Sequence, residues 1–201
     1  MLAASVAVLV AGAGALAGCS PTLHRFEATL AARDSATQAL GEWCAGRGIA
    51  QPATIRALAD RDARDAPSPA VRAALGVTAD EPVAYRHVRL ACGGTVLSDA
   101  RNWYVPARLT PDMNRTLETT DTPFGKVVLP LGFRRERLEA RRGRAAECPA
   151  GTVLSHRAVL RVGGDGGRGK GRGKGRGKGT PISLVVECYT RANLAPVRTA
   201  H

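Results

Sequence analysis

The chain has 201 residues, 44% hydrophobic and 23% charged, which is enough apolar material for one packed domain and too much for a disordered chain. Its formal charge is +12, but six basic residues and one acid sit in the tract 164–179 (GDGGRGKGRGKGRGKG), so the remainder carries +7. Beyond the first eighteen residues no apolar run approaches bilayer-spanning length, which excludes a polytopic membrane protein.

Residues 1–18 (MLAASVAVLVAGAGALAG) are apolar, uncharged and close on small residues, the pattern of a cleavable export signal. The following Leu16-Ala17-Gly18-Cys19 resembles the bacterial lipobox, and that resemblance implies lipid modification of Cys19. The expectation is a membrane-anchored protein of the bacterial cell envelope facing the periplasm. Its parts would be a lipid-anchored linker over 19–29 and a folded domain over 30–195.

Cys44, Cys92, Cys148 and Cys188 remain. In an oxidising compartment they allow two disulfides, with every pairing open. None of them has metal-ligand spacing and the four histidines are scattered, so no metal and no cofactor is expected.

In chain order, His24–Arg47 has helical spacing of Phe26, Leu30, Ala36, Leu40 and Trp43, with a break or a new cap at Asp34-Ser35. Thr54–Arg64 is read as a second helix and Ala70–Leu75 as a short helical turn stopped by Gly76. From Pro82 the character changes. Val83–Cys92 and Thr95–Val105 alternate apolar and polar residues around Gly93-Gly94, which predicts a β-hairpin ended by Pro106. Thr110 as N-cap and Pro111 after it predict a helix over 109–117. Gly125–Leu131 is helix or strand. Strands are expected over 134–141, 152–162 and 181–190.

Helices first and then a meander of strands indicate an α+β domain, an antiparallel sheet with the N-terminal helices on one face. The Gly-Arg/Lys tract has no apolar residue to bury. It reads as a disordered loop inserted into the last hairpin and able to make weak polyanion contacts. Without aromatic residues it supports no specific nucleic-acid recognition.

The second half carries an ordered set of motifs. Tyr85-Arg86 is followed by Arg101 in the strand leading to Pro106, then by Asp121-Thr122-Pro123-Phe124-Gly125, the basic strand around Arg157 and Arg161, and Glu187 inside Leu184–Cys188. Asp34-Ser35-Ala36-Thr37 stands near the start. This order resembles the chorismate lyase family, whose fold is shared by the ligand-binding domains of some bacterial transcription regulators. The resemblance implies elimination of pyruvate from chorismate to give 4-hydroxybenzoate, a step in ubiquinone biosynthesis, without a cofactor. It implies Arg86 and Glu187 as catalytic residues, with Arg86, Glu187, Ala36, Phe124 and Gly125 binding a small anionic aromatic or enolpyruvyl ligand. Arg101 reads as structural.

Physical chemistry fits those roles. An arginine fork suits a carboxylate, and a carboxyl group in an apolar strand acquires the raised pKa of a general acid. A second reading, from another class, keeps the pocket and drops the chemistry: an exported protein that binds an aromatic carboxylate or other small anion.

Overall fold

A computed structural model describes residues 21–163 and 178–196. Helix α1 (Pro21–Ala31) stops before Asp34, and α2 (Ala36–Gly46) starts afresh there. The Ser35 hydroxyl accepts the Gln38 N–H at 3.3 Å, satisfying one of the free donors at the start of α2.

The segment read as a second helix is instead strand β1 (Ile55–Asp60). Its Ala, Leu and Arg content favours a helix. Ile55 and Ala57, however, are buried on alternate positions, and β1 pairs along its whole length with the next strand. Tertiary pairing overrides the local preference. Helix α3 (Pro69–Leu75) is capped by Ser68 and closed by Gly76, whose φ of 61° a residue with a Cβ adopts only with strain.

Strands β2 (Ala84–Cys92) and β3 (Thr95–Tyr104) form the expected hairpin. Helix α4 (Pro111–Thr119) begins at the Thr110 cap, and a four-residue helix, α5 (Phe124–Val127), follows. Strands β4 (Arg134–Arg142), β5 (Thr152–Val162) and β6 (Thr180–Thr190) complete the chain. Val162 and Thr180 are register partners, so β5 and β6 meet where the Gly-Arg/Lys tract leaves the sheet. Residues 164–177 of that tract, and the whole of residues 1–20 with Cys19, lie outside the described residues.

The six strands form one antiparallel sheet in the order β1-β2-β3-β6-β5-β4, so the fold is α+β as expected. Helices α1 and α2 lie on one face, packing Phe26, Leu30, Leu40 and Trp43 against Ile55, Leu90, Leu97 and Tyr189. On the other face α3 packs Val71 and Leu75 against Trp103, Leu184 and Val186. The four cysteines pair as Cys44–Cys92, which ties α2 to β2, and Cys148–Cys188, which ties the β4–β5 connection to β6.

Candidate functional site

Strand parity decides which side chains share the α2 face. Val88, Ala100, Glu187 and His156 are successive register partners across β2, β3, β6 and β5. Partners in register point to the same face. Asn102, two residues from Ala100, and Val185, two residues from Glu187, point the same way. Above them stand the start of α2, the α5 turn and the first residues of β4.

Together they enclose a cavity of about 50 Å³ lined by Ser35, Ala36 and Thr37, by Phe124 and Gly125, by Phe133 and Arg135, and by Asn102 and Glu187. Val88, Leu90, Ala100, Leu160 and Val185 supply the apolar wall. Gly125 is required by close approach. A Cβ there would stand 2.8 Å from the Ser35 hydroxyl and 3.2 Å from that of Thr37. The α5 backbone therefore rests directly on the N-terminus of α2.

Of the residues expected in the site, Glu187, Ala36, Phe124 and Gly125 line this cavity. Arg86 does not. Its guanidinium turns to the loop after α4 and donates to the carbonyls of Thr122 at 3.0 Å and Thr120 at 3.1 Å. It lines a separate surface depression with Arg61, Arg64, Tyr85 and Tyr104.

Glu187 is engaged by a residue that the motif order did not single out. Arg135 donates through both terminal nitrogens, Nη1 at 3.2 Å to Oε1 and Nη2 to Oε2, and the two side chains are 6% and 7% exposed. The Tyr189 hydroxyl donates to the same Oε2 at 2.8 Å. Burial pushes the Glu187 carboxyl up, but the charge and hydrogen bonds of Arg135 outweigh it and hold the group below the usual carboxylate range. A carboxylate kept ionised in this way has no proton to give.

Asn102 was also not anticipated. It is 5% exposed, its Oδ1 accepts from the Ser183 hydroxyl, and its Nδ2 has no partner among the described residues. Asp34 closes the rim, its Oδ1 accepting the Arg135 backbone N–H at 2.9 Å. Arg135 was visible only as one of five arginines in β4. The apolar neighbours Phe133 and Leu160 mark its face only when the sheet order is known. No group of three or more metal-ligating side chains occurs among the described residues.

The cavity is small and largely apolar, with a few fixed polar groups in its wall. The chain belongs to the family of the uncharacterised protein y4mC of Sinorhizobium fredii. It is 38% identical to that protein over 187 residues, 84% of this chain and 73% of the relative. No protein-family model matches.

Among solved structures, the effector domain of PhnF from Mycobacterium smegmatis superposes with a TM-score of 0.54 at 13% identity, over 84% of this chain and 95% of that domain. A second structure of PhnF gives 0.53 at 13% identity, over 84% and 69%. At that identity the likeness is one of fold.

These findings correct the chorismate lyase reading. The fold is matched by an effector domain rather than an enzyme, the expected acid is a paired carboxylate, and Arg86 does not reach the cavity of Glu187. The lyase activity and its place in ubiquinone biosynthesis fall together. The lipid-anchored reading based on Cys19 finds no support in the relative or in the matched structures. The expected anionic aromatic or enolpyruvyl ligand also does not suit the lining, where Arg135 is already neutralised by Glu187.

Proposed function

We propose that this domain binds a small-molecule effector in the cavity under α2 and performs no chemistry on it. The carrying observation is the unpaired Asn102 Nδ2 beside an apolar wall. A buried donor without an acceptor is costly, and a ligand oxygen would relieve it. The cavity measures about 50 Å³. The likeness to the effector domain of PhnF supports a sensing role. The two disulfides support an oxidising compartment as the place of action.

The test is a thermal-shift screen of the full chain against a metabolite library, repeated with Ala36→Met. The longer side chain fills the cavity from the first turn of α2. Genuine ligands should raise the melting temperature of the wild type and lose that effect in the variant. Hits that shift both proteins equally would place binding elsewhere and overturn the proposal.

A further inference from the structure

The charges around the cavity constrain what it can take. Resting on the cavity as the ligand site, we infer that the ligand is an uncharged molecule, a compact apolar body carrying a hydrogen-bond acceptor such as an amide or ketone carbonyl or a hydroxyl. The ionisable side chains in the lining are Asp34, Arg135 and Glu187, a formal sum of −1. The guanidinium charge of Arg135 is committed to Glu187 through two of its nitrogens. No lining cation is left over for an anionic ligand.

The N-terminus of α2 adds about half a positive charge. Its Gln38 N–H is already taken by Ser35, so the balance stays on the negative side. Arg86, the buried cation on the same sheet face, has turned its donors to Thr120 and Thr122. A carboxylate entering the cavity would lose its water and find no cation to pair with, only the exposed Asp34 at the rim and the neutralised Arg135–Glu187 pair, whereas a neutral carbonyl can accept from Asn102 Nδ2 at no such cost. Phe124, Phe133, Leu160 and Val185 set the apolar body of the ligand.

The experiment uses two probes of one shape and different charge, isobutyramide and isobutyrate. Binding to the full chain is followed by NMR shift perturbation at neutral pH and low salt. Isobutyramide should perturb Asn102 and the amides of Ser35–Thr37 and bind at least about tenfold more tightly than isobutyrate, from the cost of one uncompensated charge at low effective dielectric. Asp34→Asn removes one negative charge at the rim and leaves an oxygen for the Arg135 N–H, so the buried pair is untouched. In that variant isobutyrate binding should improve by about threefold or more while isobutyramide binding holds. Tighter binding of isobutyrate to the wild-type cavity would overturn the charge inference and leave the ligand site standing. Failure of both probes to perturb the cavity would overturn the two together.

Discussion

Arg135 and Glu187 form an ion pair across an intervening strand. Arg135 stands on β4 and Glu187 on β6, and β5 passes between them with Ala158, fully buried, on the same face. The small side chain at 158 leaves the space the guanidinium crosses. Each partner is held by another contact. Tyr189 donates to Glu187, and the Asp34 side chain accepts from the Arg135 backbone. The pair thereby links the sheet floor to the turn that starts α2.

This arrangement predicts strongly unequal single and double substitutions. Arg135→Met leaves a buried carboxylate without its counter-charge and should cost about 3–5 kcal/mol of unfolding free energy. Arg135→Met combined with Glu187→Gln removes both charges and keeps an acceptor for Tyr189. The double variant should recover most of that loss, with a coupling of about 2 kcal/mol or more. Urea unfolding of the four proteins of the cycle measures it. Additive losses would mean that the two side chains do not interact in solution.

The degree to which the sequence reveals this follows from distance along the chain. The β2–β3 hairpin is legible because alternation and the Gly93-Gly94 turn are local signals. The start of α2 is legible because Ser35 caps three residues ahead. Strand β1 is not, since its identity comes from pairing with β2, which lies beyond α3 in the chain. In the same way Glu187 stands out as a lone carboxylate in an apolar strand, but its partner lies 52 residues away in a strand crowded with arginines. Of the residues in the motif order, Ala36, Phe124, Gly125 and Glu187 meet at one cavity and Arg86 turns away from it, because a strand position fixes the face of a side chain and not the direction of its tip.

The disulfides give a second prediction. Cys44–Cys92 and Cys148–Cys188 close loops of 48 and 40 residues, for which chain-entropy reasoning assigns about 3–4 kcal/mol each. Replacing either pair by alanines should lower stability by a similar amount. Their local effects should differ. Cys44–Cys92 fastens α2, so its loss should speed hydrogen exchange at the amides of Gln38 and Ala39, which are hydrogen-bonded to Ser35 at the start of that helix. Loss of Cys148–Cys188, on the opposite face, should leave those amides protected. Equal stability of oxidised and fully reduced protein would remove the argument for an oxidising compartment.

Two histidines make opposite contributions to the pH dependence of stability. His156 is 5% exposed, and its Nδ1 has no partner among the described residues. Burial, with Arg135 and Arg137 nearby, pushes its pKa down to about 4 against the pull of Glu187 and Glu27. His24 and Arg142 face it across the groove under α1, and the Tyr189 ring packs edge-on against it. The unfolded chain takes up a proton at this site near pH 6.5 and the folded one does not. Stability therefore falls as pH drops from 6.5 towards 4, by about 2–3 kcal/mol at the lower end.

His87 runs the other way. Its hydrogen bond to Asp99 at 3.1 Å raises its pKa despite partial burial, and Asp60 adds to the rise. Its contribution is fully present below pH 6.5 and is lost as pH rises through the folded value. The wild type should accordingly be most stable near pH 6.5, with His156 shaping the acid flank and His87 the neutral-to-alkaline one. The lowered carboxylates, Glu27, Glu136, Glu147 and Glu187, stay ionised in both states above about pH 5.5 and add to the acid slope only below it, where the unfolded chain begins to protonate them. Urea unfolding across pH 4.5–8.5 should show the acid slope shrinking in His156→Gln and the slope above pH 6.5 shrinking in His87→Gln. An acid slope unchanged in His156→Gln would mean that the imidazole is already protonated in the fold, and the buried neutral ring beside Tyr189 would have to be abandoned.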